Sequence, residues 1–328
     1  MTQNNVTPSP AFLLGVPDIG AWRAGNTGVE GVWRFESGTP GRNVMVSALV
    51  HGNELCGAWA LKGLLEAGVR PERGTLTLAF CNLEAFDRFD PQRHDASRFV
   101  DHDMNRQWVD ERMDAGDGSD RRRAAALRPF VAQADWLLDI HSMHEPSAPL
   151  LLTGMQPRNL QLARAMRSPE YIVVDAGHKD GVRMRDYGRW GLPDAQGGDT
   201  RSLLIECGFH GDPASLEVAR DQCVRFLEQS GVVGALCLER QLHGWRMADA
   251  PRQWALEVTE PVVAKSSGFR FTEPFTGLEC IARQGTVIGD NDGEPVLTPY
   301  DDCVLVMPST RQAQQGVTVV RFARRTLL

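Results

Sequence analysis

Residues 44–57 read VMVSALVHGNELCG. Val44, Met45, Val46, Ala48, Leu49 and Val50 make an apolar run without strict alternation, the mark of a strand buried on both faces. The run stops at His51, and Asn53 and Glu54 follow before Leu55, Ala58, Leu61 and Leu65 begin a helical pattern. An imidazole and a carboxylate thus stand three residues apart where a buried strand gives way to a helix. In open α/β sheets that junction, at the carboxyl ends of the strands, is where ligands bind.

Outward from this stretch the same grammar repeats. Strands are predicted at 32–36, 44–50, 75–81, 136–140, 149–154, 171–176 and 202–207, and helices at 54–67, 121–133, 157–167 and 214–239. The alternation indicates an α/β fold, a sheet flanked by helices on both faces. DAGDGSD (114–120) reads as a loop, and the RRR that follows as the solvated start of a helix. After about residue 245 the helical period disappears. VVAKSSGFRF, LECIARQGTVIGD, CVLVMP and GVTVVRFA are short, β-rich and punctuated by Gly and Pro. We expect two domains, an α/β domain over 1–245 and a small, barrel-like all-β domain over 246–328, with Thr286–Ile288 and Val304–Met307 as interior strands. The β-rich pattern resembles a biotinyl/lipoyl-type barrel, but its tight segment is VMPS, without a lysine to modify, so a structural or gating role is expected.

Bulk properties narrow the function. The 328 residues carry a net charge of −7 with scattered arginines and no aromatic-interleaved basic stripe, which gives no general affinity for nucleic acid. No apolar run approaches the roughly 18 residues of a membrane span. MTQNNVTPSP lacks the basic region of a signal peptide, and AFLLGV after it is too short for its apolar core. Seven widely spaced cysteines without C-x-x-C read as reduced thiols, so a cytoplasmic protein is expected.

Two further strands end on polar exceptions: His141 in WLLDIHSMHE and Glu206 in SLLIECGFHG. H-x-x-E is common by itself. With a distant His it supplies the His₂Glu set of a catalytic zinc that keeps a fourth position open. His51, Glu54 and His141 are therefore the expected Zn²⁺ ligands, and Glu206 remains as general base on a zinc-activated water. His144 and Glu145 read as a polar rim, and His94, His102, His178, His210 and His243 as non-ligands. SRFVDHDMNRQW (97–108) adds Arg98, Asp101, Asp103, Asn105 and Arg106. A guanidinium beside an amide suits bidentate capture of a carboxylate, and a further arginine suits a developing oxyanion.

HGNE, RFVDHDMNR, DIHS and LIECG, in that order, resemble the succinylglutamate desuccinylase/aspartoacylase family, zinc amidohydrolases on the zinc carboxypeptidase fold. The resemblance covers roughly residues 40–210. It implies a mixed sheet, zinc ligands at His51, Glu54 and His141, a general base at Glu206 and an oxyanion-stabilising arginine at Arg98. It also implies that Asn105 and Arg106 hold the amino-acid carboxylate, and that Asp139 supports the site or is a plain strand-end residue. The expected activity is cleavage of the amide of a small, anionic N-acyl amino acid. The alternatives are a metallocarboxypeptidase on short peptides and a non-catalytic metal-binding protein. The family's acyl-reading Tyr and Arg have no aligned counterpart here. Arg183, Arg185, Tyr187 and Arg201 stand as candidates, and the acyl group, the amino acid and any homo-oligomer stay open.

Overall fold

The computed structural model describes residues 11–311 and 313–328, so the reading of the first ten residues lies outside the described part. Its centre is three adjacent parallel strands, β2 (Asn43–Ala48), β4 (Trp136–Met143) and β7 (Arg201–Phe209). On one side β3 (Thr75–Phe80) runs parallel to β2, and β1 (Val32–Glu36) closes the edge antiparallel. On the other side come β5 (Leu150–Leu152), antiparallel to β7, and β6 (Tyr171–Val174), parallel to β5. This is the mixed α/β sheet that the sequence pattern predicts.

Double-sided burial explains the strand composition. Val44, Val46 and Ala48 pack into a core that includes Leu61 of α1 (Leu55–Glu66), Leu162 of α3 (Pro157–Ala165) and Phe226 of α4 (Ala214–Ser230). Met45 and Leu137 face the opposite way, into a core with Leu127 and Val131 of α2 (Ser119–Gln133). A strand whose two faces both meet helices cannot alternate apolar with polar.

Two helix expectations are corrected. The helix predicted over 214–239 is two: α4 ends at Gly231, which takes a left-handed conformation (φ 68°), and a short helix restarts over Ala235–Gln241. Glycine reaches that conformation without a Cβ clash, which is how helices commonly stop. The α2 helix begins at Ser119, two residues inside the expected loop. Nor is the arginine run wholly solvated, because Arg123 donates to the carbonyls of Glu30, Phe80 and Cys81. Asp120, buried at the start of α2, accepts from the backbone N–H groups of Val100, Asp101 and His102 at 3.0, 2.7 and 2.9 Å. This carboxylate pins the loop that carries Arg98 to Arg106.

After residue 253 the regular elements among the described residues are strands. The strand β8 (Trp254–Val263) starts parallel to β6 and then pairs antiparallel with β14 (Thr318–Leu327). Beyond β14 lie β13 (Cys303–Val306) and β10 (Cys280–Ile281), which makes one eleven-stranded sheet. A separate antiparallel sheet holds β9 (Arg270–Phe271), β11 (Val287–Asp290) and β12 (Pro295–Leu297). β13 is buried throughout, as expected of an interior strand. Around β11 the expectation is corrected: Ile288 is buried, but Thr286 and Val287 are exposed, because this small sheet turns one face to solvent. The C-terminal strands also contact the loop after β4, where Arg311 donates to Glu145 at 2.7 Å.

Candidate active site

Strand register brings the polar exceptions together. Ala48, Ile140 and Ile205 are aligned across β2, β4 and β7, and His141 lies directly beside Glu206. After β2 the chain turns through Leu49, whose φ of 59° is uncommon for leucine. It then runs through His51 and Gly52. A Cβ on Gly52 would come within 2.3 Å of the Ala85 carbonyl carbon and 2.5 Å of the Ser97 carbonyl oxygen, so only glycine fits. The Gly52 N–H donates to the Arg98 carbonyl at 3.1 Å, which stitches the two site-bearing loops together.

His51, Glu54 and His141 offer three ligand atoms within 4.8 Å of one another, all buried. The two Glu54 oxygens lie 2.7 Å from His51 Nδ1 and 2.7 Å from His141 Nδ1. Behind each imidazole stands a carboxylate on the other ring nitrogen, Asp103 at 3.0 Å from His51 Nε2 and Asp139 at 2.8 Å from His141 Nε2. Such carboxylates fix the tautomer and orient the ring. Asp139 is fixed in turn by the Ser47 hydroxyl at 2.8 Å.

Electrostatics support a cation here. Burial pushes Glu54 up, yet His51 and His141 outweigh it and hold the carboxyl well below its usual range. Burial opposes charge on His141, but Asp139 and Glu54 raise it well above the ordinary histidine value. A dry carboxylate keeps its charge only beside positive charge. Oxygen and nitrogen donors converging from His₂Glu are the set that zinc takes, so the residues fit that metal.

Glu206 is buried and its Oε2 has no hydrogen-bond partner. Burial first, and then the charge of Glu54, push its carboxyl up to about 8, against the pull of His141 and Arg98. The sequence-predicted loop residues converge on the same cleft, a cavity of about 450 Å³ lined by His51, Arg98, Asn105, Arg106, His141 and Glu206 among others. Arg98 Nη2 donates to Asp103 at 3.2 Å and Nη1 reaches Glu54 at 3.5 Å. Asn105 accepts from the Met184 N–H at 2.9 Å, and Arg106 Nη1 donates to the Asn105 carbonyl at 3.0 Å.

Of the four acyl-end candidates, Arg183 alone lines the cleft. Arg185 is buried and donates to the carbonyls of Thr153 and Ser202 at 2.7 and 2.9 Å. Tyr187 donates to Asp110, and Arg201 lies at the amino end of β7, the end opposite the cleft. Their types suggest an anion site, but their partners are internal. Sequence reasoning named Asp103 without a role and His178 only as a non-ligand, and it missed Asp120 and Arg321. His144, read as rim, also lines the cavity. Asp103 was within sight, two residues before Asn105. Arg321 gave no signal, since nothing in GVTVVRFA says which face of the strand meets the cleft.

Residues 40–191 match the family model of the succinylglutamate desuccinylase/aspartoacylase catalytic domain. Over that stretch, a little under half of its length, the chain is similar to this family's catalytic domain. Members of this family are deacylating hydrolases. Solved structures agree on the fold. A succinylglutamate desuccinylase/aspartoacylase from Rhodobacter sphaeroides superimposes with a TM-score of 0.62 at 17% identity, over 90% of this chain and 88% of that one. Succinylglutamate desuccinylase from Vibrio parahaemolyticus gives 0.60 at 16% identity, covering 90% and 86%. A product-bound ectoine utilization protein from Ruegeria pomeroyi gives 0.58 at 17% identity, covering 89% and 87%. No curated protein matches by sequence. Among the described residues, no helix is long and apolar enough to cross a membrane.

Proposed function

We propose that this protein belongs to the desuccinylase/aspartoacylase family and is a zinc-dependent amidohydrolase that cleaves the amide bond of a small N-acyl amino acid. The observation that carries the reading is the buried His51–Glu54–His141 group, its ligand atoms within 4.8 Å, with the unpaired Glu206 carboxylate on the neighbouring strand. His51, Glu54 and His141 would hold the metal. When bound, zinc would supply Lewis acidity toward a carbonyl oxygen and would lower the pKa of water.

The chain's own groups do the rest. Glu206 takes a proton from the attacking water and returns it to the leaving amine. A carboxyl held near neutrality suits both halves of that task. Arg98 stands over Glu54 and meets the oxyanion as it develops. Asn105 and Arg106 hold the substrate's α-carboxylate, Arg106 through its planar fork. Asp103 and Asp139 keep the two imidazoles in register. We also propose the division at 245/246 as the domain boundary. Seven free thiols suit a reducing compartment, and we place the protein in the cytoplasm.

The test pairs metal content by mass spectrometry with a hydrolysis screen over N-succinyl, N-acetyl and N-formyl amino acids in the presence of zinc. One zinc per chain and turnover of at least one class are expected. Stoichiometric zinc without turnover of any of them would sink the amidohydrolase reading.

A further inference from the structure

The buried arginines of this protein come in two kinds. Arg158, Arg183, Arg185 and Arg225 each hold a carboxylate: Asp194 at 2.7 Å, Asp175 at 2.8 Å, Asp186 at 2.5 Å and Asp221 at 2.7 Å. Arg321 is also buried, at 9% exposed, but forms no ion pair among the described residues; the carboxylate that acts on it most, Asp175, is already paired with Arg183. Its Nη2 meets only the His178 ring, 3.1 Å from Nδ1 and 3.2 Å from Nε2. Burial, with Arg106 and Arg321 beside it, pushes His178 down to about 2, so the ring is neutral and offers no counter-charge. An arginine taken out of water without an anion is costly, and proteins rarely keep one idle.

Its position says which anion it awaits. Val320 and Phe322 point into the C-terminal core with Ile288 and Leu305. Arg321, between them on β14, takes the other face of the strand. Ala323 shares that face and packs with Leu152 and Leu204, which line the cleft together with Arg321, Arg106 and Glu206. The guanidinium therefore borders the same cavity as the proposed general base, on the wall opposite in sequence from every residue assigned above.

We propose that Arg321, held by His178, is a specificity-determining residue that takes a second carboxylate of the substrate, beyond the one given to Asn105 and Arg106. The assignment rests on the amidohydrolase reading. A second carboxylate has two sources, the side chain of the amino acid or the tail of the acyl group, and Arg321 would meet either by the same bidentate chemistry.

The experiment compares wild type with Arg321→Gln on N-acetylalanine, N-acetylglutamate and N-succinylalanine. KM is expected to rise roughly tenfold or more for a substrate with the second carboxylate and to stay unchanged for N-acetylalanine. A rise confined to N-acetylglutamate names the side chain as the source, and one confined to N-succinylalanine names the acyl tail. Equal changes on all three, or none, overturn the proposal. Calorimetric titration with glutarate needs no turnover, so it separates this proposal from the function on which it rests. Binding about tenfold weaker in Arg321→Gln than in wild type supports the role even if no amide is cleaved, and equal binding refutes it. Thermal unfolding supplies a readout that a structural role would move. Because Arg321 forms no ion pair and Asp175 is already held by Arg183, Arg321→Met should unfold at or above the wild-type Tm, and a fall would mark Arg321 as a structural ion instead.

Discussion

The two walls of the cleft are built on opposite principles. On the metal side the candidate ligands have internal partners: Glu54 lies between two imidazoles, each imidazole has a carboxylate behind it, and Asp139 has Ser47, with Glu206 alone left unpaired. On the far wall Arg321 hydrogen-bonds only a neutral ring and forms no ion pair, and Arg106 Nε stands 3.4 Å from Asp180 without hydrogen-bond geometry. A self-satisfied wall is rigid before anything binds, as a ligand set must be. An unsatisfied wall stores affinity for the partner it lacks. On the proposed reading, ground-state recognition accordingly belongs on the second wall and chemistry on the first.

Variants can break that division. The largest effect is expected from His141→Ala, which removes a candidate ligand atom and the imidazole that separates Glu54 from Asp139. It should purify with little zinc and no measurable turnover, and a full equivalent of zinc in that variant would end the ligand assignment. Glu206→Gln belongs to the same wall but spares the ligands. It should retain zinc and lose roughly 10²- to 10⁴-fold in kcat. The pH profile sharpens this prediction. Glu206 must be ionised to accept a proton, so kcat should rise with pH through its pKa. That carboxyl is pushed up to about 8 by burial and Glu54, and a cation between His51, Glu54 and His141 should draw it down. The zinc enzyme should thus show an acid limb with a midpoint below about 8, absent in Glu206→Gln.

Asp139→Asn tests the outer layer of the first wall. It keeps a hydrogen bond to His141 but not the charge, and zinc affinity should fall roughly 10- to 100-fold by competitive chelation. Unchanged affinity would mark Asp139 as a plain strand-end residue. The smallest effect is expected on the recognition wall. Arg106→Lys keeps a charge and loses the planar fork, so KM should rise about tenfold with kcat nearly unchanged, since a charge-assisted hydrogen bond is worth about 1.5–3 kcal/mol. A fall in kcat at constant KM would instead make Arg106 part of the chemistry, and the contrast between the walls would fail.

The metal wall was legible in the sequence because it interrupts a strong pattern. A strand buried on both faces admits few polar residues, so His141 and Glu206 stand out in WLLDIH and LLIEC, and the helix after His51 marks the junction. Strand ends on adjacent parallel strands meet by register, which makes the convergence of His51, His141 and Glu206 close to a consequence of topology. Helix limits were less legible. Gly231 is one glycine among many, and its left-handed turn is chosen by packing after α4.

What the sequence by itself determined is the set of residues with a local signature: strands, most helices, the His₂Glu group, and an arginine-rich loop near it. Tertiary structure alone decided which charges are spent internally and which face the cleft. Arg183, Arg185 and Arg321 are equally arginine on paper, yet Asp175 and Asp186 neutralise the first two. Arg321 reaches the cavity only because β8 adds to the edge at β6 and carries β14 in with it. The physical reason is range. Burial patterns repeat within a few residues along the chain, whereas the counter-charge of a buried ion depends on segments far apart in sequence that only the folded sheet brings within a few ångströms.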